Sequence, residues 1–462
     1  MPKTQPTIFT ESKARHPSNP KSAISNSLFH RDLNKTYSVI VRAEGIYLFD
    51  EEGKRYIDGC AGAGNVTLGH GRQRIAQVMG DQAETMAFCF STSFTNQLAL
   101  EFSSRIADLA PGDLNHVYFV SGGSEGNESA FKICRQYHLQ RGNSQKQLII
   151  SRWKAYHGAT LGAMAASGMP LLKNPFTPWF PNFPKISPCY PYRCKFAGCE
   201  GDCNLSCARQ LEQTIIEAGP ENVAAFIAEP INSAGIAAGV PGDNYLKELR
   251  EICDKYDVLF IADEVITGFG RTGKYFAVEH WDVVPDIIVF GKGASSGYIP
   301  LGGVLMRDKI YDSFRDSREI FAHVFTYVDN PIAMRVGLEV LAIIEEEKIL
   351  DQVATKEKYF FEKAEALKKH SIVGDIRAKG MLWAIEIVKD RETKEPFPAE
   401  LKIGQQIADY AFEKGLSITA GQGSADWVNG DDLRLSPPLI TSHEQIDEIL
   451  AIIDEGMGKI KL

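Results

Sequence analysis

The chain has 462 residues, 44% of them hydrophobic and 24% charged, with a formal net charge of −9. That length suits two domains, or one large domain with a smaller appendage, and the composition is that of an ordinary globular protein. The acidic balance argues against nucleic-acid or anionic-membrane binding, and no apolar run approaches the ~20 residues needed to span a bilayer.

Residues 1 to about 30 are rich in Pro, Ser, Asn, Lys and Thr and read as a mobile or draped arm. The segment Met1–Asn26 has no apolar stretch typical of a secretory signal, so a cytoplasmic location is expected. Alternation around Glu51-Glu52-Gly53-Lys54 predicts a hairpin, Ile46–Phe49 against Arg55–Ile57. The small-residue run Asp58-Gly59-Cys60-Ala61-Gly62-Ala63-Gly64-Asn65 is either a tight-packing turn or a backbone that something approaches closely. Helical spacing follows over Arg72–Glu84 and Asn96–Leu109. Between them, Phe88, Phe90 and Phe94, three phenylalanines in seven residues, are candidates for core.

A strand at His116–Val120 leads into Ser121-Gly122-Gly123-Ser124-Glu125-Gly126-Asn127-Glu128, read as a turn, and then a helix over Ser129–Arg141. A strand, a Gly-Ser turn and a helix N-terminus form an anion seat, because unpaired N–H groups and the helix dipole point at it. Gly122 and Gly123 let the backbone wrap an anion, and Ser124 adds a hydroxyl. No Gly-Lys-Ser/Thr follows, so this is not a Walker loop, and it does not match the dinucleotide fingerprint. Gln147–Ser151 is the next strand, leading to Tyr156-His157-Gly158, where an aromatic ring is free to stack on a flat ligand. The strand Ala224–Ala228 ends in Glu229-Pro230.

Between those strands stand Cys189, Cys194, Cys199, Cys203 and Cys207. The spacing lacks the paired knuckles of a zinc ribbon. Reduced thiols packing a surface insertion are the favoured reading, ahead of a disulfide and then of a metal; no metal site is assigned.

A helix over Asp243–Tyr256 precedes two buried strands, Val258–Ala262 and Asp286–Phe290. The first ends in Asp263-Glu264-Val265 and the Gly-rich Thr267-Gly268-Phe269-Gly270-Arg271-Thr272-Gly273; the second ends in Gly291-Lys292-Gly293. Ligands of open α/β sheets bind outside the carboxyl ends of the strands, which makes Asp263 and Lys292 neighbours in one site. Ser121, Tyr156, Glu229, Asp263 and Lys292 all stand at strand ends. Pyridoxal phosphate chemistry needs a lysine for the Schiff base and a carboxylate on the pyridine nitrogen.

The run Asp263 to Gly273, with Gly291-Lys292-Gly293 and Gly297-Tyr298-Ile299-Pro300-Leu301-Gly302-Gly303, resembles the class III (ω-type) aminotransferases, and the resemblance extends from about Asn34 to the C-terminus. It implies an α/β, fold type I transferase: a mostly parallel central sheet flanked by helices, with a smaller α+β domain. The division expected is 1–60 for an arm and hairpin packing with the small domain, 61–328 for the cofactor-binding domain and 329–462 for the small domain. The implied cofactor is pyridoxal 5'-phosphate, with Lys292 as the Schiff-base lysine and Asp263 on the pyridine nitrogen. The implied phosphate cup is Ser121, Gly122, Gly123 and Ser124. Tyr156 covers the ring face beside His157, and Glu229 and Val265 complete the cofactor's surroundings. Asn65 falls in the segment that in this family lines the substrate entrance, partly across the dimer interface, and Phe88 and Phe90 fall where aromatics shape the substrate pocket; a homodimer or a tetramer with shared active sites is expected.

Beyond Leu301–Met306, a returning strand, stands His323-Val324-Phe325-Thr326-Tyr327. The resemblance implies that Thr326 reaches the cofactor phosphate of the partner subunit, although Val324 stands where the family usually has glycine, and Asp329-Asn330-Pro331 where it has Gly-His-Pro. Asn330–Leu367 is largely helical, Met381–Val388 is a strand and Ile403–Lys414 a helix. Arg434, in Asp432 to Ile440, is by resemblance the residue that binds a substrate carboxylate, a task suited to the planar guanidinium fork.

The expected activity is ping-pong transfer of an amino group from an amine or ω-amino acid to a keto acid such as pyruvate. Racemases, epimerases, dialkylglycine decarboxylases and aminomutases share the same lysine and carboxylate and stand as alternatives.

Overall fold

The computed structural model describes residues 28–196 and 203–461, so most of the expected N-terminal arm and Cys199 lie outside the described residues. The chain divides into two units, Met1–Val39 and Ile40–Leu462. In the first, residues 28–39 are exposed coil, with His30 stacked on Tyr37 at a ring-centroid distance of 4.5 Å.

The second unit is organised on a seven-stranded sheet. In spatial order its strands are His116–Val120, Gly302–Met306, Ile287–Phe290, Leu259–Asp263, Val223–Ala228, Leu148–Arg152 and Lys185–Ile186. Only Gly302–Met306 runs against its neighbours. The central strands are apolar throughout because both faces are covered. Side chains alternate between the faces: Ala225, Ile227, Leu259 and Ile261 pack with the helix Gly123–Gln140, whereas Phe226 and Phe260 pack with Ser206–Ala218 and Tyr245–Lys255.

The helix after the first of these strands begins at Gly123, well before the expected Ser129. Gly, Ser and Asn conceal it, since each is a weak helix former. Two contacts override that preference: the Glu125 carboxylate reaches back to the Ser121 N–H at 2.9 Å, and Gly126 lies so close to the sheet that a Cβ would meet Val289 at 2.7 Å.

An antiparallel four-stranded sheet lies towards the C-terminus, in the order Val373–Lys379, Leu382–Ile387, Asp431–Leu435, Thr419–Gln422. The helices Pro331–Glu346, Ile349–Ala364, Ile403–Glu413 and His443–Lys459 share one apolar core with it. The hairpin forms as expected, Tyr47–Asp50 against Arg55–Asp58, and its second strand pairs in parallel with Leu416–Ser417. Among the described residues no helix is long and apolar enough to cross a membrane.

Candidate active site

The carboxyl ends of the large sheet's parallel strands open onto a cavity of ≈ 480 Å³. Ser121, Gly122, Gly123, Ser124, Tyr156, His157, Glu229, Asp263, Val265 and Lys292 all line it, as does Asn65. The strand-end residues singled out in the sequence therefore converge on one site.

Asp263 closes the strand Leu259–Asp263 and is nearly buried. His157 Nδ1 lies 2.7 Å from its Oδ2, Asn127 Nδ2 donates to the same oxygen at 3.0 Å, and the Val265 N–H donates to Oδ1 at 3.1 Å. With Nδ1 donating, the buried Nε2 of His157 has no hydrogen-bond partner among the described residues. Asn127 also donates to the His157 carbonyl at 2.6 Å, tying the two supports together. Sequence reasoning missed Asn127 because it falls inside the concealed helix, one turn beyond Ser124 and facing the sheet.

Lys292 follows the strand Ile287–Phe290 in a left-handed conformation, φ 42°. Such backbone strain in a non-glycine residue persists only where the surroundings impose it. Its amine makes no hydrogen bond among the described residues and faces the cavity. Burial pushes its pKa down to about 8, against the pull of Asp263 and Glu229. Glu229 is pushed up to about 8, chiefly by burial, with the Arg152 guanidinium opposing and the Asp263 charge adding to the rise. Asn232 Nδ2 donates to its Oε2 at 3.0 Å.

The helix Gly123–Gln140 opens on Gly122 with no side-chain cap, which leaves its first N–H groups directed at the cavity. A Cβ on Gly123 would meet Val265 at 2.6 Å, and one on Gly158 would meet Ser124 Oγ at 2.4 Å. The cup thus depends on close backbone approach.

Arg434, Phe88, Phe90 and Thr326 do not line this cavity. Arg434 lines an adjoining one of ≈ 180 Å³, which shares Ala63, Ser233 and Ile266 with the first. There its guanidinium is engaged by both oxygens of Asp432 and by the Ala234 carbonyl. The expectation of Phe88 and Phe90 at the pocket is not met within one chain. Both are exposed, and Phe88 meets Tyr327 edge-on at 6.1 Å, beside the exposed Thr326.

An uncapped helix start for an anion, a supported carboxylate, an unbonded buried amine and an aromatic wall fit pyridoxal phosphate. Fold and site together define a fold type I transferase of the pyridoxal-phosphate-dependent class. The class-III aminotransferase profile matches residues 28–457. The putrescine–pyruvate aminotransferase of Pseudomonas aeruginosa is 38% identical over 433 residues, covering 92% of this chain and 91% of that protein. The taurine–pyruvate aminotransferase of Bilophila wadsworthia is 35% identical over 430 residues, covering 92% and 93%. The crystal structure of a transaminase from the marine bacterium Virgibacillus superposes with a TM-score of 0.86 at 35% identity, covering 92% of this chain and 93% of that one. The chain belongs to the class-III aminotransferases and is a transaminase.

Proposed function

We propose that this enzyme moves an amino group from a primary amine or ω-amino acid to pyruvate, in two half-reactions at one site. The observation that carries the reading is the pairing, on one cavity, of an amine that burial keeps near neutrality with a carboxylate fixed by three donors. Bound pyridoxal phosphate would supply an aldehyde for the amino group and a ring that accepts the electrons released when the substrate carbon loses its proton.

The chain's own residues do the rest. The N–H groups at Gly123 and Ser124 hold the phosphate, and Tyr156 covers the ring. Asp263 would meet the pyridine nitrogen, and His157 and Asn127 keep its carboxylate from turning away. Lys292 would hold the cofactor, and its Nζ would serve as the base that takes the proton from the substrate carbon and returns it. A pKa of about 8 suits both directions of that transfer. Glu229, its pKa pushed up to about 8 chiefly by burial, stands at the cavity wall as a support for the cofactor. Arg434 meets the carboxylate of the keto acid.

The relatives named for putrescine and taurine share pyruvate as acceptor in their names, which supports pyruvate here. We place Phe88, Phe90 and Thr326 at the site of a partner subunit in a homodimer, and the enzyme in the cytoplasm. The chain's residues 61–328 act as the cofactor domain and 329–462 as the small domain. A visible absorbance scan with a panel of amines tests the reading. The cofactor's band is expected to bleach with an amine donor and return with pyruvate. A band that no amine bleaches would contradict transamination.

A further inference from the structure

The two half-reactions proposed above make opposite demands on the Arg434 cavity. A keto acid brings a carboxylate for the guanidinium to pair with, whereas an amine without a carboxylate brings none. A charge covered by an apolar group and left without a partner is costly.

Arg434 and Asp432 stand two apart on the strand Asp431–Leu435 and so share one face. Arg434 Nε donates to Asp432 Oδ1 at 2.5 Å and Nη2 donates to Oδ2 at 3.1 Å, a forked contact along one edge of the guanidinium. Nη1 donates to the Ala234 carbonyl. Three of the five N–H donors are thus engaged, which leaves one on each terminal nitrogen for a ligand. Arg434 lines the cavity, with its side chain 20% exposed, whereas Asp432 is fully buried and does not line it. The carboxylate therefore backs the guanidinium without occupying the cavity.

The neighbouring strands are shaped to keep this pair. Gly421 stands opposite Asp432 in the register, and a Cβ there would run into both Arg434 Nη2 and Asp432 Oδ1. On its other side Asp432 faces Glu386, which is itself held by Arg193 Nε at 2.9 Å and by Arg377 Nη2 at 2.9 Å. Among the described residues, Asp432 is the carboxylate bonded to Arg434.

We propose that Asp432 is the resident counter-ion of Arg434, and that it fits the site to amine donors whose far end carries no carboxylate. The donor class rests on the transaminase reading above. When the uncharged end of such an amine fills the cavity, Arg434 stays paired through Asp432. When a keto acid enters, its carboxylate takes the two remaining N–H groups against the opposing charge of Asp432. The same buried carboxylate thus favours the amine half-reaction and loosens the hold on pyruvate.

The test compares the holoenzyme with Asp432→Asn and Asp432→Ser, each half-reaction being followed by absorbance with butylamine or with pyruvate. In both variants the apparent KM for butylamine should rise by about tenfold or more, the scale of covering an unpaired charge. The apparent KM for pyruvate should hold or fall. Loosened packing would instead raise both. Formate, added as a small replacement carboxylate, should restore the butylamine half-reaction of Asp432→Ser and leave that of the parent enzyme unchanged. A higher KM for pyruvate, an unchanged KM for butylamine, or no restoration by formate would overturn the proposal. A parent enzyme that reacts with ω-amino acids but not with butylamine would overturn it too, whereas one that reacts with no amine would contradict the transaminase reading instead.

Discussion

His157 Nδ1 and Asp263 Oδ2 stand 2.7 Å apart, both nearly out of reach of solvent, with Asn127 bonded to the same carboxylate oxygen at 3.0 Å. A carboxylate so fixed keeps its charge aimed into the cavity rather than at solvent. Asp263→Asn keeps the size but presents an uncharged amide to the ring nitrogen. The variant should fold and retain the cofactor while kcat falls by about 10²–10³-fold, the scale of losing one preorganised electrostatic contact. Unaltered kcat with full cofactor content would remove Asp263 from the chemistry.

The lowered pKa of Lys292 sets a pH dependence that stopped-flow mixing of the apoprotein with pyridoxal phosphate can read. Burial disfavours the ammonium, so the amine is protonated below about 8 and neutral above it. Only the neutral amine attacks an aldehyde. The recombination rate should therefore rise through a midpoint near pH 8 and level off, whereas an ordinary lysine would keep rising towards about 10.4.

Gly123→Ala tests the phosphate cup. Its Cβ would fall 2.6 Å from a Val265 methyl, at the start of an uncapped helix. Either the helix start or Val265 must move, and overpacking of this kind costs about 1–3 kcal/mol. Equilibrium dialysis should show roughly a tenfold or greater loss of cofactor affinity, the equivalent of about 1.4 kcal/mol. Affinity equal to the parent enzyme would mean that the phosphate sits elsewhere.

Arg434→Gln removes the cation of the adjoining cavity and leaves Asp432 buried without its partner. The KM for pyruvate should rise by about tenfold or more, given the 1.5–3 kcal/mol typical of hydrogen bonds to charged groups. The half-reaction with an amine lacking a carboxylate should be nearly unchanged. Equal damage to both halves would point to a structural role for Arg434.

The strand-end residues were legible because parallel strands covered on both faces write themselves as unbroken apolar runs, and any ionisable residue at their ends stands out. Lys292 between two glycines and Asp263 after Leu259–Ala262 are of that kind. Asn127 was not legible: it sits in a helix whose first turns are Gly, Ser, Glu and Gly, kept helical by Glu125 and by packing on Val289. The strand Thr419–Gln422 was hidden for a related reason, since Thr-Ala-Gly-Gln has little strand character and is fixed by pairing with Asp431–Leu435. The partners of Arg434 depend on the same register, which no local spacing encodes. Phe88, Phe90 and Thr326 are exposed, with Phe88 edge-on to Tyr327, and nothing in their local sequence separates an exposed aromatic from a core one.

In the proposed reaction one amine, that of Lys292, would hold the cofactor. Borohydride reduction of the protein incubated with pyridoxal phosphate, followed by peptide mapping, tests it most directly. The pyridoxyl group should be found on Lys292 in near-stoichiometric yield, and adding an amine donor before reduction should protect that lysine. Labelling of another lysine in its place, or none at Lys292, would contradict the account.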